Sequence, residues 1–387
     1  MLPYGHGLRR RALASGCALV ATVWAPVVWG AERAQSPEVI QLSPPGPGRI
    51  YAGSCCDTTP LDERVHVLDG VRILGTLPAG FYGAPALSPD GKTLYIATTY
   101  YSRLDHGDRL DIVELYDTTT LLLTGDIKIP PKRAMESPVP GLAALSKSGR
   151  YLFVQNATPG ASVTIVDLLR KRTLSEVENA GCWTIWPSPT DERSFVSLCG
   201  DGSFLTVKFD QRGRMESQAR SEALFDAEND PLFAEGVETA KGAIFISFSG
   251  MVHQVDYSGE AVRQERPWSV VPATEASAHW RPGGDQPLAF RADVGRLFIA
   301  MHRDGKDGSQ TKAADEIWSV DIATRQRVQR IPGDHAIALC VSTHTVPPYL
   351  VTSGESHAIK LFDTDTLSFV GERSAVGAAT RLIVPGR

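Results

Sequence analysis

The chain predicts an all-β fold, a seven-bladed β-propeller closed by its C-terminal strand, and three observations carry that prediction. A short apolar strand pattern ends in aspartate seven times along the sequence. Each copy follows a second β-prone run entered through a Gly-containing turn. A spare β-prone run at the C-terminus matches a first repeat that lacks its own opening strand.

The N-terminus precedes the repeats and differs from them. Arg9-Arg10-Arg11 stand before an apolar run over 12–29, which the small residues Gly30 and Ala31 follow. That order of charge, apolar run and small residues describes a secretory signal over 1–31, with an uncleaved membrane anchor as the alternative. Pro26 and the small residues after it favour cleavage, while the export route stays open. A Pro-rich segment over 32–48 leads into the propeller, which spans 49–387.

The first repeat opens on Arg49-Ile50-Tyr51-Ala52 and reaches Val65-His66-Val67-Leu68-Asp69. The later copies end at Asp117, Asp167, Asp210, Asp256, Asp321 and Asp363, at spacings of 48, 50, 43, 46, 65 and 42 residues. A β-built period of about 40–50 residues is that of propeller blades. Aspartate suits the last position because its short carboxylate accepts from the backbone of the turn that follows, as in Asp117-Thr118-Thr119. Asp90-Gly91, Ser148-Gly149 and Val294-Gly295 precede the partner strands and read as hairpin turns. Residues 381–384 are left over after the seventh copy; pairing them with the first repeat removes two exposed sheet edges. Helical signals amount to a turn over 226–231 or 274–278, and 35 Gly and 26 Pro punctuate the rest.

A net charge of −5 with 21% charged residues carries no basic stripe that would point to nucleic acid. Export makes disulfides available to the six cysteines, of which Cys17 lies in the signal. Cys182 and Cys199 flank a predicted hairpin around Pro187-Ser188-Pro189-Thr190-Asp191 and should bond across it. The adjacent Cys55-Cys56 form either a vicinal disulfide or free thiols, and Cys340 has no evident partner. There is no Cys-x-x-Cys-His for covalent haem.

Candidate chemistry is sparse. The run 302–308 resembles a cation loop but lacks the spacing and terminal Glu of an EF-hand, so it reads as a solvated turn. Asp105-His106-Gly107-Asp108, with Asp111 after it, offers metal or acid–base groups; a polar loop held by Arg103 and Arg109 accounts for it better. No serine elbow, phosphate loop, dinucleotide fingerprint or paired-histidine zinc motif is present, so no catalytic residue or metal ligand is assigned.

Several stretches are similar to one family. Thr98-Thr99-Tyr100-Tyr101-Ser102-Arg103, the run 107–114 and Trp280-Arg281-Pro282-Gly283-Gly284 resemble the heavy subunit of quinoprotein amine dehydrogenases. Ile129-Pro130-Pro131-Lys132-Arg133, Gln155-Asn156-Ala157-Thr158-Pro159, Ala180-Gly181-Cys182-Trp183, Cys199-Gly200-Asp201-Gly202, the run 302–308 and Ala314-Asp315-Glu316-Ile317-Trp318 look more like aralkylamine than methylamine dehydrogenase. The resemblance implies a periplasmic assembly of two heavy and two light chains. Tryptophan tryptophylquinone and the catalytic aspartate reside in the small light chain, primary amines become aldehyde and ammonia, and electrons pass to a blue copper protein. It also implies that Phe81, in Pro78-Ala79-Gly80-Phe81-Tyr82-Gly83, lines the substrate channel from a loop tip. The alternative is a core aromatic. A rival reading from another class is a free-standing secreted propeller that binds a ligand or hydrolyses a lactone in its central channel.

Overall fold

A computed structural model describes residues 41–44, 46, 48–54, 63–135, 141–342, 348–374, 376 and 380–385. The signal over 1–31, the Pro-rich segment up to residue 40 and the pair Cys55-Cys56 lie outside the described residues.

All seven aspartate-ended patterns form strands: Glu63–Asp69, His106–Asp117, Ser162–Asp167, Phe204–Phe209, Met251–Asp256, Ala314–Asp321 and Ile359–Asp363. Each pairs antiparallel with a neighbour on both sides. The aspartates do what their short carboxylates allow. Asp117 Oδ1 accepts from the backbone N–H of Thr119 at 2.9 Å and of Thr120 at 2.8 Å. Asp167, Asp210, Asp256, Asp321 and Asp363 accept from turn amides in the same way. The bonds from Thr119 and Thr120 pull the Asp117 carboxyl down to about 2.

Burial grades across each sheet. Tyr151–Asn156 and Ser162–Asp167 are buried at every position, the first opening on the apolar run Tyr151-Leu152-Phe153-Val154. Met215–Arg220, with the sequence MESQAR, is exposed at every position and ends its sheet with charge, as a solvent-facing edge requires. Successive sheets pack face to face through aromatics: Phe153 meets Phe195 with ring centroids 5.3 Å apart, and Trp186 meets Phe245 at 4.9 Å. This all-β arrangement of several packed sheets is consistent with a β-propeller.

The ends of the ladder meet. Thr380–Pro385 pairs antiparallel with Arg49–Ser54, placing Ile383 opposite Ala52 and Val384 opposite Tyr51. Two strands are longer than the repeat predicts. Arg72–Leu87 pairs with Glu63–Asp69 through its first half and with Thr93–Arg103 through its second. Gln326–Val341 bridges Ala314–Asp321 and Tyr349–Gly354 in the same manner. The chain thus crosses from one unit to the next without a loop at these two places.

Cys182 and Cys199 are direct cross-strand partners and are disulfide-bonded. Cys340 is a free thiol in an apolar core cluster. Of the two helical signals, Ala273–Ala278 forms a 3-10 helix. Residues 226–230 form a turn, with Asp226 accepting from the amides of Glu228 and Asn229.

Candidate functional site

Phe81 sits at a kink in the long strand Arg72–Leu87. Gly80 and Tyr82 both adopt positive φ, +57° and +46°, and the ladder slips register between Phe81 and Ala84. Two residues here face fewer partners than regular pairing would supply, the signature of a bulge that re-aims a side chain. Glycine is required at position 80, where a Cβ would lie 2.5 Å from Thr98 Oγ1 on top of the unfavourable φ. The Phe81 ring is half-buried and stands edge-on to Tyr101, centroids 5.3 Å apart at 81°. Phe81 is therefore neither on a loop tip, as the flanking glycines imply, nor a buried core aromatic. It belongs to a strand bent by a bulge.

A buried charged cluster holds that bulge. Arg133, only 2% exposed, donates from Nη2 to the carbonyl oxygen of Phe81 at 2.5 Å and from Nη1 to that of Tyr82 at 2.7 Å. On the other side, the Gly83 N–H donates to Glu63 Oε2 at 2.8 Å. Three consecutive backbone groups thus bond to two side chains from distant parts of the chain. Arg133 also donates from Nε and Nη2 to Thr99 Oγ1, at 3.2 and 3.0 Å. Thr99 Oγ1 in turn donates to Asp111 Oδ1 at 2.9 Å. Asp111 accepts two further bonds from Arg109 and one from the Arg133 backbone N–H.

Burial perturbs these groups. It pushes the Glu63 carboxyl up to about 8, against the opposing pull of the Gly83 N–H and the Arg133 charge. It also pulls Arg133 down to about 10, with Asp111 the first opposing influence. Beside this cluster, Tyr100 and Tyr116 donate to the two oxygens of Glu114 at 3.0 Å each; burial raises the Glu114 carboxyl.

The residues weighed for acid–base or metal chemistry separate. Asp111 is not in a loop: it is buried in His106–Asp117, which pairs with Thr93–Arg103 to form a long hairpin. Arg109 holds Asp111, whereas Arg103 pairs through its backbone with His106. Asp105 Oδ1 and His106 Nδ1 lie 2.6 Å apart, exposed at the hairpin tip. Among the described residues no cluster of three or more His, Cys, Asp or Glu is arranged to hold a metal. In the run 302–308, His302 is buried and its Nδ1 lies 3.1 Å from the Arg303 carbonyl oxygen, with burial lowering its basicity. Trp280 packs on Trp318 in the core, centroids 5.1 Å apart, with Arg303 over the Trp280 ring. An open cleft of about 240 Å³ lies beside it, lined in part by Pro272, Ala276 and His279. Ser249 and Ser269 line it as well, with the Ser249 hydroxyl donating to Asp230 Oδ2 at 2.6 Å and the Ser269 hydroxyl to the Val271 carbonyl oxygen at 3.2 Å.

Sequence reasoning missed Glu63, Thr99 and Arg133 as parts of this site. The available signal was Arg133 itself, a basic residue that follows Lys132 at the end of Ile129-Pro130-Pro131-Lys132-Arg133. Chemically, the arrangement is an aromatic side chain on a braced backbone. Its carboxylates are all committed to hydrogen bonds that fix backbone or hydroxyl groups.

Residues 54–385 match the family described as methylamine dehydrogenase heavy chain (MADH). The chain is 27% identical to the methylamine dehydrogenase heavy chain of Methylorubrum extorquens over 361 residues, 92% of this chain and 86% of that one. It is 28% identical to the heavy chain of Methylophilus methylotrophus over 331 residues, 84% and 80% of the two chains. Among solved structures, the dihydro-heme d1 dehydrogenase NirN in complex with DHE superposes with a TM-score of 0.56 at 15% identity. It covers 91% of this chain and 77% of its own, a likeness of fold alone.

Proposed function

The chain belongs to the methylamine dehydrogenase heavy-chain family, and from that premise we propose that it is the large subunit of a periplasmic dehydrogenase for primary, aromatic amines. Membership makes it a subunit of an amine dehydrogenase with a light chain as partner. In our reading two heavy and two light chains assemble, the light chain carries tryptophan tryptophylquinone, and a blue copper protein takes the electrons. When present, the quinone oxidises the amine to aldehyde and ammonia; this chain binds the light chain and shapes the approach.

The observation that carries this reading is the Phe81 bulge. An aromatic ring on a backbone fixed by Arg133 and Glu63 suits a channel wall. Among the described residues Trp280 and Trp318 pack on each other and are covered by Arg303 and Arg327, which supports placing the quinone in the partner chain. Preference for aromatic amines is supported by the stretches that look like aralkylamine dehydrogenase, among them Gln155-Asn156 and Ala180-Gly181-Cys182-Trp183. Export by the signal over 1–31 accounts for a disulfide at Cys182 and Cys199.

We also read the fold as seven four-stranded blades, with Thr380–Pro385 closing the ring on Arg49–Ser54. The seven aspartate-ended strands, each paired on both sides, and the pairing of the two chain ends support it. Purification from the native host, with quinone staining and mass analysis of co-purifying chains, tests the function. A small, quinone-positive, disulfide-rich subunit in equal number to this chain is expected. A chain that purifies alone and oxidises no amine would return the reading to a free-standing binding propeller.

A further inference from the structure

We propose that Arg133 and Glu63 are positioning residues for Phe81, setting how far its ring stands into the amine passage and thereby which amine size is preferred. The inference rests on the channel reading above and adds the residues that make the wall rigid.

The argument begins with the backbone. Positive φ at both Gly80 and Tyr82 is a conformation that a strand does not adopt unaided, and a tyrosine there is strained. Such geometry persists only where its surroundings over-determine it. Here they do: Arg133 bonds the carbonyl oxygens of Phe81 and Tyr82, and Glu63 bonds the Gly83 amide. Arginine suits the task because its planar fork reaches two adjacent carbonyls and Thr99 at once, which a lysine ammonium cannot do in the same plane. The fork is itself immobilised. Its backbone amide bonds to Asp111, and its carbonyl oxygen accepts from Arg109 Nη2 at 2.7 Å. A ring held through its own main chain keeps one depth, whereas a ring on a free loop would yield to a bulky substrate.

The test uses the assembled heavy–light complex with Arg133→Lys, Arg133→Met, Glu63→Gln and Phe81→Ala. It reads amide hydrogen exchange over residues 79–84 and kcat/KM for methylamine and 2-phenylethylamine. Arg133→Lys keeps the charge and guards against loss of folding in Arg133→Met. Both Arg133 variants should speed exchange over 79–84 by about tenfold or more while the remaining strands stay protected. They should shift the ratio of the two kcat/KM values by roughly three- to thirtyfold, through KM more than kcat. Glu63→Gln keeps an acceptor for Gly83 but needs its amide oxygen turned inward, and should speed exchange over 79–84 and shift the ratio in the same direction as the Arg133 variants, by less than either of them. Adding Phe81→Ala to Arg133→Lys should change the ratio no further than Phe81→Ala alone, since one residue acts through the other. Unchanged exchange over 79–84 would overturn the clamp. Faster exchange with an unchanged ratio, where Phe81→Ala alone does move it, would overturn the link to specificity. If Phe81→Ala and both Arg133 variants all leave the ratio at wild type while exchange quickens, the channel reading falls and takes this proposal with it.

Discussion

The sheet that contains Cys182–Pro187 and Ser194–Cys199 and the bulge at Phe81 are built from the same kind of strand, yet they are held by opposite means. In the first, the ladder runs from Cys182 opposite Cys199 to Pro187 opposite Phe195 with one register shift, and the faces are filled by Phe195, Val207 and Phe209. Apolar burial and a disulfide stabilise it, and its own positive-φ residue, Thr184 at +58°, sits at that shift with its hydroxyl accepting from Trp186 Nε1 rather than from a charged group. In the second, two residues in the positive-φ region break the ladder, and the restraint comes from Arg133, Glu63, Thr99 and Asp111. Buried charges are an expensive way to stabilise a fold, because desolvation offsets much of what they gain. They are a good way to hold one conformation that packing alone would not choose. The first region serves the sheet; the second serves a geometry.

The comparison can be pressed by removing each kind of restraint in turn. The largest effect should come from the ladder itself. Deleting residues 380–387 strips Arg49–Ser54 of its antiparallel partner and leaves an open edge. Soluble yield should collapse, and any chain recovered should melt well below the full-length protein. A truncated chain with an unchanged Tm would show that the ends are joined in some other way.

Next in size is the disulfide. Cys182 and Cys199 are 17 residues apart in sequence, and loss of the bond by Cys182→Ser with Cys199→Ser should cost about 3 kcal/mol in denaturant unfolding. Amine preference should not move, because the bond lies outside the Phe81 cluster. Peptide mapping that found both thiols free would remove the bond from the account altogether.

A smaller effect is expected from pH. Glu63 titrates near 8 in the fold against an ordinary value of 4.5, so over that interval the folded chain holds a proton that the unfolded chain has released. Its contribution to stability is therefore full below about pH 4.5 and is lost as pH rises toward 8, with a slope of at most about 1.4 kcal/mol per pH unit. Glu63→Gln should flatten that slope and leave the acid side unchanged. Equal slopes in both proteins from pH 5 to 8 would mean that Glu63 is ionised throughout.

The same contrast explains what was legible beforehand. The strands ending in Asp69 through Asp363 are written in an alternation of apolar and turn residues, and burial of apolar surface follows that pattern directly. The hairpin around Pro187-Ser188-Pro189-Thr190-Asp191 and its disulfide follow from the same signal. The continuity of Arg72–Leu87 and Gln326–Val341 across two sheets was not legible, because Gly75, Pro78 and Gly80 in one, and Pro332 and Gly333 in the other, read as breaks. Nor was the cluster around Arg133. Glu63 and Arg133 lie 70 residues apart, and nothing in periodicity says that two isolated ionisable side chains meet under a bent strand. Asp111 misled in the same way: a run of charges reads as a solvated loop until a partner arginine and a buried threonine are placed beside it.

The central claim, that the braced Phe81 ring is a wall of the amine passage and not a piece of core, has a direct measurement. Phe81→Ala in the assembled complex should leave subunit association intact and shift the ratio of kcat/KM for 2-phenylethylamine and methylamine by a few-fold to roughly a hundredfold, the range open to apolar volume in a pocket. Wild-type kcat/KM for both amines in the assembled variant would contradict it and return Phe81 to a packing role.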